Sequence, residues 1–253
     1  MGFLNKLGNA IGSSTGLAGT RPLPYSRDAR NGNGNGNGGL RAVGANRSPE
    51  LQETTRISNG LKEFLWNLEG LGRGTLLDLG PAWQTTISFF IERGFRVTSD
   101  DILRGWSDFL KEHESQINLP LKEEDYLERT PEARTKKFLE ESFQYPPSSF
   151  DALLLWDVLD YMEPIVAKMT VAHLEEMLRP GGVVFAMFHS KKPEGFQRYR
   201  VTDTSRLQVL SAKPICAAHK VYQNREIQGL FGNCRTIKTF IGRDQLRETL
   251  FLK

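Results

Sequence analysis

The stretch that decides the fold is Leu77-Asp78-Leu79-Gly80-Pro81-Ala82-Trp83-Gln84. It closes a short apolar run, Thr75 to Leu79, broken only by Asp78, and it leads into Thr85 to Arg93, which reads as a helix that Gly94 ends. Phe95 to Ser99 follows as a second strand, and Asp101 comes 21 residues after Gly80. In doubly wound folds a ligand binds outside the carboxyl ends of the strands. A glycine turn lets the backbone approach such a ligand, and an acid about 20 residues on accepts hydrogen bonds from ribose hydroxyls. Taken alone the pair is a weak signal. The G-x-G-x-x-G of dinucleotide binders is missing.

The alternation continues downstream. Asp101 to about His113 is expected to be helical. Residues 114–149 are polar, with a short strand expected near Phe138. Ala152 to Trp156 is a strongly apolar strand, and Glu163 to Leu178 a helix whose Val166, Met169, Leu174, Met177 and Leu178 form one stripe. Pro180-Gly181-Gly182 then turns the chain into Val183 to Phe188, another apolar strand. Apolar strands separated by helices predict a parallel sheet covered on both faces. Tyr199 to Val201 and Leu207 to Leu210 are expected to pair as an added hairpin, and Asn224 to Phe231 to form a short helix. Thr236 to Ile241 and Leu246 to Phe251, around Gly242-Arg243-Asp244, read as an antiparallel pair at the sheet edge.

Upstream, residues 1–47 hold eleven of the 24 glycines and are expected to be a disordered Gly/Asn-rich tail. Order is expected from Ser48, with Ser48 capping and Pro49 opening an N-terminal helix over 48–70 that carries Ile57, Leu61, Phe64, Leu65 and Leu68. The net charge of +3 hides a division. Six basic and two acidic residues lie within the first fifty, so the rest of the chain is near neutral. The strongly basic body of a nucleic-acid binder is therefore absent. Two cysteines, Cys216 and Cys234, exclude a disulfide framework and a Cys-rich zinc site, and His113, His173 and His219 lie too far apart to suggest a metal. No apolar run approaches the roughly 20 residues of a membrane span. The first residues lack the pattern of a signal peptide, which makes a cytoplasmic protein the default expectation.

Three further stretches extend the pattern: Phe150-Asp151-Ala152-Leu153-Leu154-Leu155-Trp156-Asp157-Val158-Leu159-Asp160-Tyr161, then Leu178-Arg179-Pro180-Gly181-Gly182, then Gly242-Arg243-Asp244-Gln245-Leu246-Arg247-Glu248. In this order and spacing, residues 55–253 resemble class I S-adenosylmethionine-dependent methyltransferases. The resemblance implies an α/β, doubly wound, mostly parallel sheet of seven strands with one antiparallel strand, over a domain spanning 48–253. It implies S-adenosylmethionine as cofactor and methyl transfer to an unidentified, small-molecule or other, acceptor. By position it puts Asp78 near the methionine ammonium group, Gly80 and Ala82 in the cofactor loop, Asp101 on the ribose hydroxyls, and Asp157 at the methionine end. An acid beside the adenine is implied before Ser149, where Glu140 and Glu141 are the candidates, with Glu141 favoured. The 105–148 insertion and the 189–223 added segment, with the N-terminal helix, are the expected acceptor-binding parts.

The sequence departs from the family's glycine motif. Of three alternate glycines only Gly80 remains, with Ala82 and Gln84 in the other places. Gln84 is expected to fill part of the pocket. This departure supports the alternative of a non-catalytic, methyltransferase-like binding or regulatory protein that has lost its cofactor. Simpler duties also fit the individual residues. Asp101 suits a helix N-cap, Asp157 and Asp160 suit a helix start, and Trp156 suits the core. Lys191, Lys192, Arg198 and Arg200 suit a solvated loop face as well as an anionic substrate. His189, just after a strand, is either a general base or a histidine without chemistry.

Overall fold

The computed structural model describes residues 53–117 and 129–253. The tail expected over 1–47 lies outside them, as does the cap expected at Ser48. Within them the chain forms nine strands and six α-helices in two sheets. The main sheet has six strands in the order β3-β2-β4-β5-β9-β8, comprising β2 (Gly74–Asp78), β3 (Phe95–Ser99), β4 (Phe150–Leu155), β5 (Leu178–His189), β8 (Arg235–Ile241) and β9 (Leu246–Leu252). β3, β2, β4 and β5 run parallel, while β9 is antiparallel to both β5 and β8. The doubly wound α/β architecture and its single antiparallel strand are as expected. Seven strands were expected, and the described residues supply six.

Strand pairing follows burial. β4 and β5 lie at the middle of the sheet, and Ala152 to Leu155 and Val183 to Phe188 are buried without alternation, as strands covered on both faces must be. The covering helices are α1 (Asn59–Asn67), α2 (Gln84–Ile91), α3 (Ile102–Ile117), α4 (Pro131–Ser142), α5 (Pro164–Met177) and α6 (Asn224–Leu230). Among the described residues no helix is long and apolar enough to cross a membrane.

Two expectations are corrected. The N-terminal helix expected over 48–70 is a strand followed by a helix: β1 (Glu53–Ile57), then α1, which Ser58 caps by accepting the Leu61 amide at 2.9 Å. Leu61, Phe64 and Leu68 keep their helical stripe and are buried, but Ile57 is exposed on β1. The strand expected near Phe138 is α4. Thr130 caps it, Pro131 occupies its first turn, and Phe138 and Leu139 turn inward against Trp106, Phe109 and Phe143. The polar residues around Phe138 are the solvent face of that helix.

The added hairpin is present as β6 (Phe196–Val201) and β7 (Arg206–Ala212), and β1 joins it in a separate antiparallel sheet ordered β1-β7-β6. The two sheets are tied at Glu248 on β9, a carboxylate 2% exposed. It accepts Arg56 Nη1 of β1 at 2.5 Å and the Gly60 amide of α1 at 2.7 Å. Arg56 also pairs with Asp244, Nε to Oδ2 at 2.6 Å. Removing Glu248 leaves the buried Gly60 amide without its acceptor and Arg56 with Asp244 alone, which together cost about 3 kcal/mol. Glu248→Ala is therefore expected to lower the unfolding free energy by about 3 kcal/mol, or Tm by roughly 6–12 °C for a domain of this size. A loss below about 1 kcal/mol in denaturant melts would show that Glu248 does not tie the sheets together.

Candidate functional site

The carboxyl ends of β3, β2 and β4 lie side by side, and each ends in an acid or is followed by one two residues on. Asp78 closes β2 and is 1% exposed. Its Oδ1 accepts the Trp156 indole N–H at 2.7 Å and the Gly80 amide at 3.0 Å, while its Oδ2 has no partner among the described residues. Burial pushes the Asp78 carboxyl up to about 6, against the two bonds, which pull it down. Gly80 is required where it stands, because a Cβ there would lie 2.7 Å from the Trp156 ring.

Asp101 follows β3 at the start of α3. It does the work of a cap, accepting the Arg104 amide at 3.3 Å, and it also receives Arg198 Nη2 of β6 at 2.8 and 3.2 Å. Asp157 follows β4 in a short 3-10 turn (Asp157–Tyr161) and is fully enclosed. It accepts the Tyr199 hydroxyl of β6 at 3.1 Å, and His189 Nε2 lies 3.5 Å away. Burial raises its carboxyl to about 6, with His189 pulling the other way. Asp160 accepts both the His189 backbone amide at 2.6 Å and its Nδ1 at 2.9 Å through Oδ2. Burial alone would lower the His189 imidazole. The Asp160 bond and the charges of Asp157 and Asp160 outweigh burial, and its pKa is raised.

Asp78, Gly80, Asp101 and Asp157 are thus brought to one end of the sheet. Ala82 sits in the same loop but is exposed, and Glu141 is exposed on α4 with no bond or ion pair to this group. Gln84 does not fill the site as expected. It is exposed and bonds Ser88 at 3.0 Å, and the bulk comes instead from Trp156 and Tyr199, stacked with centroids 5.8 Å apart. Asp157 and Asp160 are buried partners of His189 rather than plain helix-start acids. Lys191 and Lys192 are exposed, in keeping with a solvated loop, and with His189 they line a cavity of about 190 Å³. Arg198 departs from the loop reading: it is a strand residue whose side chain is 11% exposed.

Tyr199 was legible only as an apolar strand position, and Arg198 only as one of four loop cations. The signal for Tyr199 is the alternation of β6, visible in Arg198-Tyr199-Arg200-Val201, whereas nothing local marks Arg198. The alternation seats Tyr199 and Val201 inward, with the Val201 amide donating to Thr86 Oγ1 of α2 at 2.9 Å.

No protein-family model matches the chain, and no curated protein matches it. Solved structures do. A 1,6-didemethyltoxoflavin-N1-methyltransferase of Burkholderia thailandensis, with bound S-adenosylhomocysteine, is 17% identical at a TM-score of 0.43, over 78% of this chain and 79% of that one. A putative type 11 methyltransferase of Sulfolobus solfataricus is 14% identical at 0.41, over 75% and 89%. A SAM-dependent methyltransferase of Aquifex aeolicus is 12% identical at 0.37, over 78% and 90%. At these identities and scores the likeness assigns neither a substrate nor residue roles to this chain.

The acid at the centre of the site carries a stability signature. The Asp78 carboxyl stands near 6 in the folded chain and near 3.8 when unfolded, so the folded chain holds the extra proton between these values. Folding stability therefore falls as pH rises from about 4 to 6, by about 3 kcal/mol at ~1.4 kcal/mol per pH unit. Asp78→Asn keeps an acceptor for Trp156 and Gly80 but carries no charge to desolvate. The variant is expected to match wild type near pH 4 and to be about 3 kcal/mol more stable above pH 6. A stability difference that does not change with pH in urea melts would disprove the cost assigned to this carboxylate.

Proposed function

We propose that this chain binds S-adenosylmethionine at the carboxyl ends of β2, β3 and β4 and transfers its methyl group to a small-molecule acceptor. The observation that carries the reading is the Asp78 carboxyl group, enclosed, with Oδ2 lacking a partner among the described residues. A buried acceptor without a donor costs about 1–3 kcal/mol, and a ligand cation or N–H would recover that. The donor set suits such a ligand. Asp78 would take a ligand ammonium, Asp101 would take ribose hydroxyls, and Asp157 adds negative charge beside a positive sulfur. The resemblance of the ordered motifs over 55–253 supports the same assignment, including Gly80 and Ala82 in the loop and Glu141 on the adenine side.

Bound S-adenosylmethionine would supply a methyl group already activated on a sulfonium. What remains for the protein is to hold the acceptor in line, and positioning alone can account for much of a rate enhancement. His189 is poorly suited to be the base. Its Nδ1 faces Asp160 and its Nε2 faces Asp157, so both ring nitrogens are turned to acids of the chain rather than to an acceptor. The acceptor in this reading is therefore a nucleophile that needs no strong enzyme base. The cavity beside His189, Gln197 and Leu246 is the place it would enter.

A second reading rests on a separate observation. Asp101 and Asp157 already have partners from within the chain, Arg198 and Tyr199, as they would in a methyltransferase-like protein that binds a partner without cofactor. Calorimetry of the full chain with S-adenosylhomocysteine separates the two. Micromolar binding is expected, with a loss of about tenfold or more in Asp78→Asn, roughly 1.4 kcal/mol. No heat and no thermal shift at millimolar ligand, with the protein folded, would overturn the cofactor reading in favour of the second.

A further inference from the structure

The second sheet meets the main sheet in an unequal way. On one side β1 is held by the Arg56–Glu248 pair, both side chains at most 10% exposed, and its chain continues directly into α1. On the other side β6 is an edge strand, paired among the described residues with β7 alone. That edge rests on the acid-lined end of the main sheet and on the α2 end at five places. Arg198 takes Asp101, Phe196 packs edge-on against Tyr161, Tyr199 takes Asp157 and stacks on Trp156, Arg200 lies over the Trp83 ring, and the Val201 amide takes Thr86 of α2. No backbone ladder joins β6 to the main sheet.

We propose that the three-stranded sheet is a displaceable cover, hinged at β1 and latched by Arg198 on Asp101, that must tilt away before a ligand reaches the acids beneath. The inference rests on the ligand site proposed above. Its physical basis is that the latch can be released without stranding a bare charge. Asp101 keeps the Arg104 amide of α3, and Asp157 keeps His189. Buried charges that lose their only partner are costly, and here neither does. The latch itself is not fully enclosed, with Asp101 17% exposed, so dissolved ions reach it and weaken it. The hinge pair is more deeply enclosed, Glu248 being 3% exposed in its side chain, and is screened less. Release uncovers Asp101 and Asp157 on either side of Asp78, whose Oδ2 already waits without a donor, because β2 lies between β3 and β4.

A closed cover taxes affinity, since a ligand sees only the open fraction. Arg198→Ala is thus expected to bind S-adenosylhomocysteine about tenfold more tightly than wild type, with Arg198→Lys between the two. A readout free of ligand accompanies it. Trp156 and Tyr199, enclosed in the closed form, are expected to become several-fold more reactive to hydroxyl radicals in the full-length Arg198→Ala chain, while Phe185 and Phe251 stay protected. Wild type in rising KCl should show the same selective change, which decides the matter even where the variant does not fold. Protection of Trp156 and Tyr199 equal to that of Phe185 in every condition would overturn the cover, as would weaker binding by Arg198→Ala. Selective exposure without binding of either S-adenosyl ligand would retain the cover and retire the cofactor.

Discussion

Desolvated carboxylates govern this molecule. Asp78, Asp157 and Asp160, at the ends of β2 and β4, are each 3% exposed or less, and Glu248 on β9 is 2% exposed. An isolated ion so deeply placed costs several kcal/mol, which a fold tolerates only by surrounding it with donors. The donors identify what the rest of the structure is for. Trp156 and the Gly80 amide serve Asp78, His189 and Tyr199 serve Asp157, His189 serves Asp160 twice, and Arg56 with the Gly60 amide serves Glu248. Most of these donors come from turns, strand ends or the second sheet. The second sheet is held where it is by the need to neutralise acids in the first.

The accommodation is incomplete at two oxygens, Asp160 Oδ1 and Asp78 Oδ2, which have no partner among the described residues, and the Asp78 carboxyl is driven up to about 6. A structural role needs one oxygen, and Oδ1 supplies it to both Trp156 and Gly80. Packing gives no reason to keep a second oxygen enclosed at that cost, and a replacement by asparagine would have kept both bonds without charge. Binding of a cation gives such a reason. Perturbed acids in a sheet-end crevice are candidates for chemistry on this ground, although ion-pair networks perturb them too. Asp157 illustrates that second case, since its raised value is matched by partners on both sides.

The repeating parts of the chain were legible from its residues. Phe95 to Ser99 was delimited as found, because Gly94 before it and Asp100-Asp101 after it bound a short stretch whose Phe, Val and Thr favour a strand. The edge pair around Gly242 and the hairpin of β6 and β7 were also legible from alternation. What failed did so for local reasons. Ile57 lies at helical spacing from Leu61, yet Ser58 caps the helix after it, and tertiary pairing with Arg206 of β7 draws Ile57 into a strand. Phe138 looked like an isolated apolar residue because α4 buries only a narrow stripe. The Thr130-Pro131-Glu132 start was the available sign. At the site, the acids stood out by position after strands. Their partners Arg198 and Tyr199 lie 97 and 42 residues away in sequence, and no local pattern encodes such a pairing.

The altered glycine motif has a physical explanation that differs from decay. Of its three positions only Gly80 meets an obstacle, the Trp156 ring at 2.7 Å, whereas Ala82 and Gln84 face solvent. The surviving glycine is the one demanded by the protein's own interior. The other two positions are free to carry side chains because the bulk over the site comes from elsewhere, from Trp156 and from Tyr199 on the second sheet. A loop that meets its ligand by close backbone approach needs glycines. A site that met its ligand through three carboxyl groups, as proposed, would need only the one that lets Trp156 reach Asp78.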